Sequence, residues 1–165
     1  LAELEQDLSR VDPAVKTGNT MADAILNSKL NLAASQHIAV NAKATVSPAL
    51  PVEPLDICVI LGNLMDNAIA YAGTNIHINI SCFREDRELL LFQFCRYRIG
   101  VSPEHLNRLF ERFYRVDKGR SRKLGGTGLG LAIVKNAVLI HGGTISAKNN
   151  QGGGLEFVFT LAKER

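Results

Sequence analysis

Three groups of residues in this chain have the types and spacing for chemistry on a phosphate-bearing ligand. One is a glycine-rich turn, Gly125-Gly126-Thr127-Gly128-Leu129-Gly130-Leu131, with Leu129, Ile133, Val134, Ala137 and Val138 following at helical spacing. No side chain obstructs such a turn, and the helix start beyond it presents unpaired N–H groups and a partial positive charge to an anion. A second is Asn63 and Asn67, four apart on one helix face, with Tyr71 a further turn along. Their amide oxygens are hard ligands of the kind Mg²⁺ takes beside phosphate and water; the plainer alternative is that they border the buried face of the helix. The third is basic: residues 108–123 hold seven Arg and Lys against two acidic side chains, so that segment carries +5 and the rest of the chain −2. An anion is expected next to it, unless it is a solvated face. Nucleic acid is disfavoured as a partner, because only Phe110, Phe113 and Tyr114 accompany the charge, and they fall at apolar helical spacing. Two familiar phosphate loops are excluded. No G-x-x-x-x-G-K-[ST] occurs, and a basic loop rather than a strand precedes the glycines.

The elements that must position these groups read clearly over most of the chain. At 165 residues, with 46% hydrophobic and 21% charged, the sequence describes one ordinary globular domain with room for an accessory element. No apolar run approaches the roughly 18–20 residues of a membrane span, and the first residues lack a signal-peptide pattern. Cys58, Cys82 and Cys95 lie in apolar stretches without metal-ligand spacing, which predicts buried free thiols in a reducing compartment.

Leu1, Leu4 and Leu8 predict a short amphipathic helix, broken by Asp12-Pro13 and Thr17-Gly18-Asn19. A second helix is expected from about Thr20 to Ser35, and residues 37–46 alternate as a strand or hairpin does. Ile57, Ile60, Leu61, Leu64, Met65 and Ala68 define a helix from Glu53 to near Gly73. Residues 75–83 and 88–95 read as an antiparallel hairpin turning at Arg84-Glu85-Asp86-Arg87. Ser102-Pro103-Glu104 resembles a helix start, with Leu106, Leu109, Phe110 and Phe113 as its apolar face; residues 115–126 look like a mobile basic loop. The post-glycine helix ends at His141-Gly142-Gly143, and Thr144–Lys148 and Leu155–Leu161 close the chain as two strands. The expected fold is α+β, a two-layer sandwich with a mixed, mostly antiparallel sheet of about five strands on about three helices. Residues 1–36 are expected to form an N-terminal helical segment, either packed helices or the end of a dimerisation region, and residues 37–165 the main domain.

The combination is more specific than its parts. Leu61-Gly62-Asn63-Leu64-Met65-Asp66-Asn67-Ala68-Ile69 resembles the N box of the ATP-binding domain of sensor histidine kinases, the Bergerat-type fold shared with gyrase and heat-shock chaperones. Leu109-Phe110-Glu111-Arg112-Phe113-Tyr114-Arg115 resembles its F box, and Gly126-Thr127-Gly128-Leu129-Gly130-Leu131 its second glycine box. The resemblance implies that Asn67 ligates Mg²⁺ on ATP, with Asn63 beside it, and that Tyr71 stacks on the adenine. Arg115 and nearby cations then meet the terminal phosphates, and the backbone of Gly126, Thr127, Gly128, Leu129 and Gly130 cradles them. Such a site suits phosphoryl transfer, where positioning and charge neutralisation supply most of the catalysis. Asn63 stands where ATP-hydrolysing relatives carry a glutamate base, which favours a kinase. Thr17-Gly18-Asn19 with Asp23-Ala24-Ile25-Leu26-Asn27 is more similar to peptide-pheromone quorum sensors, and residues 103–145 to phosphate-sensor kinases.

The chain departs from that family at its first glycine box. Where Asp-x-Gly-x-Gly is expected it has Arg96-Tyr97-Arg98-Ile99-Gly100, of which Gly100 and the aliphatic Val101 after it match. The family's Asp accepts a hydrogen bond from the adenine amino group, whereas arginine carries donors and no acceptor. The Lys often preceding the stacking Tyr is Ala70. His37, His77, His105 and His141 lie outside any phosphoacceptor motif. The expectation is therefore a cytoplasmic piece of a membrane-bound bacterial sensor, a homodimer at full length. It would work with a phosphoacceptor helix of the same or sister subunit and a response regulator, and the alternative is a degenerate kinase-like domain with weak or no ATP binding that acts as an interaction module.

Overall fold

The computed structural model describes residues 14–48, 50, 52–71, 75–85, 89–97, 100–117 and 126–162, with the backbone alone over 83–97. Its helices are α1 (Thr20–Ser35), α2 (Pro54–Tyr71), α3 (Pro103–Leu106) and α4 (Gly130–Ile140). Its strands are β1 (Ala39–Thr45), β2 (Asn75–Glu85), β3 (Leu89–Tyr97), β4 (Ile145–Asn149) and β5 (Leu155–Ala162). The strands form one sheet in the order β1-β2-β3-β5-β4. Only β1–β2 is parallel, with α2 as the crossover; the other pairs are antiparallel. The expected two-layer α+β sandwich is what forms, while the helix expected over Leu1–Arg10 lies outside the described residues.

Local chemistry sets the element ends. Asn19 caps α1 by accepting from the Ala22 N–H at 3.0 Å, and Asp23 in the first turn accepts from the Thr17 N–H and hydroxyl. At its other end, His37 N–H bonds the Ala34 carbonyl and Ile38 N–H that of Ala33, closing the helix with His37 at φ 59°. Proline at the start of α2 costs nothing, because that N–H would be unpaired anyway. Helix α4 ends with Gly142 N–H on Leu139 and Gly143 N–H on Val138.

The core lies between the sheet and the helices. Ile76, Ile78 and Ile80 of β2 and Leu155, Phe157, Phe159 and Leu161 of β5 meet Ile60, Leu64 and Met65 of α2 and Val134 and Val138 of α4. Burial at roughly 25 cal/mol per Å² of apolar surface makes this layer the main source of stability. Ala22, Leu26 and Ala33 of α1 belong to the same cluster, so α1 is a packed helix of this core. The boundary expected at residue 36 falls within one continuous hydrophobic interior. A Cβ on Gly62 would lie 3.4 Å from the Ile25 side chain, which is how closely α1 approaches α2.

Of the strand or hairpin expected over residues 37–46, the strand forms, as an edge strand paired in parallel to β2. Four expectations need correction. The hairpin turn expected to begin at Arg84 starts later, because β2 runs through Glu85. Helix α3 is a single turn; Leu106, Leu109 and Phe110 pack against the core, but Phe113 is 70% exposed at φ 65°. On α4 the inward face is Leu131, Val134, Ala137 and Val138, and Ile133 faces outward. Cys58 and Cys82 are half-buried rather than fully buried.

Candidate functional site

Asn63 and Asn67 lie on successive turns of α2, both half-buried, with Tyr71 half-buried at its last residue. The Asn63 amide donates to the Val59 carbonyl at 2.8 Å, which fixes its rotamer and leaves Oδ1 facing α4. A Cβ on Gly130 would come within 3.3 Å of that Oδ1. The glycine turn therefore sits on the asparagine face of α2, and two of the three groups singled out in the sequence are brought together. Asn67 hydrogen-bonds to no other described residue. It is a half-buried amide with both polar atoms available.

The turn is shaped by backbone. Phe113 N–H donates to the Gly128 carbonyl at 2.8 Å, and the Arg115 guanidinium donates to the Gly126 carbonyl. Gly128 stands at φ 71°, and a Cβ there would lie 2.8 Å from the Phe113 Cα, so both the conformation and the close approach require glycine. Leu129 N–H turns back onto the Thr127 hydroxyl at 3.3 Å, and Ile133 is the first residue of α4 to pair within the helix, on the Leu129 carbonyl. The first-turn N–H groups of a helix have no intrahelical acceptor and point out of its N-terminal end.

The third group is brought only partly to the same place. Arg108 is spent locally: it pairs with Glu111 at 3.2 Å and lies over the Tyr114 ring at 4.3 Å. The Glu111 carboxylate holds the Arg108 guanidinium above its ordinary pKa. His105 Nδ1 meets the Tyr114 hydroxyl from the other side. Arg115 reaches the glycine turn, while Lys118, Arg120, Arg122 and Lys123 lie outside the described residues. Gly100 follows β3, remote in sequence from the other site residues, and its neighbour Val101 is held by Asn149 through two hydrogen bonds. That contact carries no periodic or motif signal, and sequence reasoning missed it.

The donor set suits a hard cation shared with a ligand. Among the described residues no group of three or more His, Cys, Asp or Glu side chains is placed to hold a metal. One open amide oxygen, Asn67, fits Mg²⁺, which keeps several waters and takes phosphate oxygens for the rest of its shell.

A family model described as histidine kinase-, DNA gyrase B- and HSP90-like ATPase matches residues 53–165, and the chain belongs to that family. The sensor histidine kinase WalK of Bacillus subtilis is 44% identical over 106 residues, covering 64% of this chain and 17% of that protein. The sensor protein SrrB of Staphylococcus aureus is 41% identical over 104 residues, covering 63% of this chain and 18% of that protein. The matches thus span less than a fifth of these relatives. Among solved structures, the mycobacterial sensor histidine kinase MprB superposes with a TM-score of 0.70 at 23% identity, over 86% of this chain and 93% of that one. Full-length ShkA in complex with AMPPNP gives 0.67 at 22% identity, over 92% of this chain and 31% of that one. The fold is that of histidine-kinase catalytic domains. No described helix is long and apolar enough to cross a membrane.

Proposed function

We propose that this chain is the catalytic, ATP-binding domain of a two-component sensor histidine kinase, transferring the γ-phosphoryl group of ATP to a histidine outside these 165 residues. The observation that carries the reading is the seating of the glycine turn on the asparagine face of α2, with Gly130 against Asn63. That juxtaposition supports a shared space lined by helix-start N–H groups and the Asn67 amide, the arrangement a polyphosphate requires. Mg²⁺, when bound, neutralises charge on the phosphate oxygens, and Asn67 would hold it. Tyr71 would stack on the base, and the turn backbone from Gly126 to Gly130 would cradle the phosphates. Arg115, engaged with Gly126, would reach a terminal phosphate by exchanging that carbonyl for it. Asn63 has an amide, which accepts hydrogen bonds but takes no proton from water, so the site favours transfer to a positioned acceptor over hydrolysis.

In this reading the partners are the phosphoacceptor helix of the same or sister subunit and a response regulator. The whole protein would be a membrane-bound, homodimeric bacterial sensor with this domain on its cytoplasmic side. The test is titration with a fluorescent ATP analogue and Mg²⁺, followed by incubation with radiolabelled ATP and an isolated phosphoacceptor domain. Saturable micromolar binding and acid-labile label on the acceptor are expected. Absence of saturable binding up to millimolar nucleotide would sink the reading.

One observation favours a second reading, a degenerate module with weak nucleotide affinity. Arg96 is in register with Ile78 of β2 and Leu155 of β5, both buried on the helix-facing side of the sheet. Position 96 therefore belongs to the face that the helices cover, where a carboxylate is expected for the base. Loss of a charge-assisted hydrogen bond there costs about 1.5–3 kcal/mol, roughly ten- to hundredfold in affinity.

A further inference from the structure

Asn149, the last residue of β4, makes both polar contacts an amide can make with a single peptide position. Its Oδ1 accepts from the Val101 N–H at 2.9 Å, and its Nδ2 donates to the Val101 carbonyl at 2.6 Å. A side-chain amide paired this way substitutes for a strand neighbour, and it fixes the position and the tilt of the segment it holds. The packing is equally tight at the preceding residue. A Cβ on Gly100 would fall 2.2 Å from Asn149 Oδ1 and 3.1 Å from the Gly154 carbonyl oxygen. The same segment is anchored again at its far end, where Phe113 N–H donates to the Gly128 carbonyl at 2.8 Å. Between the two anchors Val101, Leu106, Leu109 and Phe110 pack against the core, so the stretch is a braced strut rather than a loose loop. One end of it rests on Asn149 and the other shapes the glycine turn.

We propose that Asn149 is a positioning residue for the nucleotide site, acting through the Val101 backbone on the strut that holds the glycine turn; the proposal rests on the nucleotide-binding reading above. Asn149 is itself exposed, and its substitution removes little apolar packing. Asn149→Asp is the sharpest probe. It keeps the size and the acceptor for the Val101 N–H, but it sets a carboxylate oxygen against the Val101 carbonyl. Asn149→Ala removes both contacts.

The experiment measures dissociation constants of a fluorescent ATP analogue and of ADP with Mg²⁺, for the wild-type chain and these variants. Thermal unfolding and hydrogen exchange at the Val101 and Gly128 amides are measured alongside. Both variants are expected to bind ATP and ADP about tenfold more weakly, by the same factor for each, with faster exchange at both amides. Gly100→Ala should weaken binding similarly in the wild-type background, because it drives the Asn149 amide off Val101. In an Asn149→Ala background it should add less, since the Oδ1 it strikes hardest is gone and only the Gly154 carbonyl oxygen at 3.1 Å remains. A merely structural role predicts the opposite: lowered unfolding midpoints, unchanged affinity well below them, and additive effects of the two substitutions. Wild-type binding with equal binding by both Asn149 variants overturns the proposal alone. No binding by the wild-type chain overturns the nucleotide reading and this proposal with it.

Discussion

On the glycine-turn side of the candidate site, shape is held by main-chain carbonyls: that of Gly128 on Phe113 N–H and that of Gly126 on Arg115, with Gly130 lying against Asn63. On the Gly100 side the main chain is held by one side chain, Asn149, and the strand leading to it carries Arg96 where the sequence resemblance leads one to expect a carboxylate. The first side is held by its peptide groups, with the Arg115 guanidinium and the Thr127 hydroxyl as the side-chain contributions. The second depends on the Asn149 amide, which makes both of its contacts with Val101.

The strongest way to break this contrast is Gly128→Ala. The left-handed conformation and the 2.8 Å approach to Phe113 Cα together should cost about 2 kcal/mol or more of stability and abolish nucleotide binding, read by denaturant unfolding and titration. Asn67→Ala should fold normally and lose about 1.5–3 kcal/mol of Mg-nucleotide affinity, with the Mg²⁺ dependence of binding flattened. Retention of both would remove the phosphate side from the argument. On the other side, Arg96→Asp combined with Arg98→Gly should tighten ATP binding about tenfold and leave AMP-free polyphosphate binding unchanged. An unchanged ATP affinity would mean that the two sides do not differ as described.

The smallest effect is expected from a residue remote from both sides. Hydrogen bonds from the Thr17 hydroxyl and N–H hold the Asp23 carboxyl below its ordinary pKa. A depressed native pKa stabilises above the unfolded value, about 3.9, and that contribution is lost as the pH falls through the native value. Thr17→Val should therefore lower the unfolding midpoint slightly at neutral pH, with the difference from wild type shrinking below about pH 4. Nucleotide affinity should not move.

Much of this was legible because periodicity reports burial. The α2 stripe from Ile57 to Ala68 and the alternation of Ile76, Ile78 and Ile80 each name a face, and the structure buries those faces. Asn63 and Asn67 could be paired from spacing alone, since helix geometry fixes which residues share a side. What stayed hidden depends on contacts between distant segments. Nothing local says that Phe113 leaves the helical pattern to meet Gly128, because the cause is a backbone bond across fifteen residues of sequence. Nor does an Asn at a strand end announce that it grips Val101, 48 residues away. Ile133 faces outward because α4 begins at Gly130 with Leu131 turned inward, which rotates the stripe relative to one counted from Leu129.

Helices α2 and α4 run in opposite directions, and at the end away from the glycine turn His141 Nε2 meets Asp56 Oδ2 at 2.6 Å. The spacing of the two helices is thus pinned at two places, by Gly130 against Asn63 beside the glycine turn and by His141 against Asp56 at the opposite end, so the gap between them has a fixed taper.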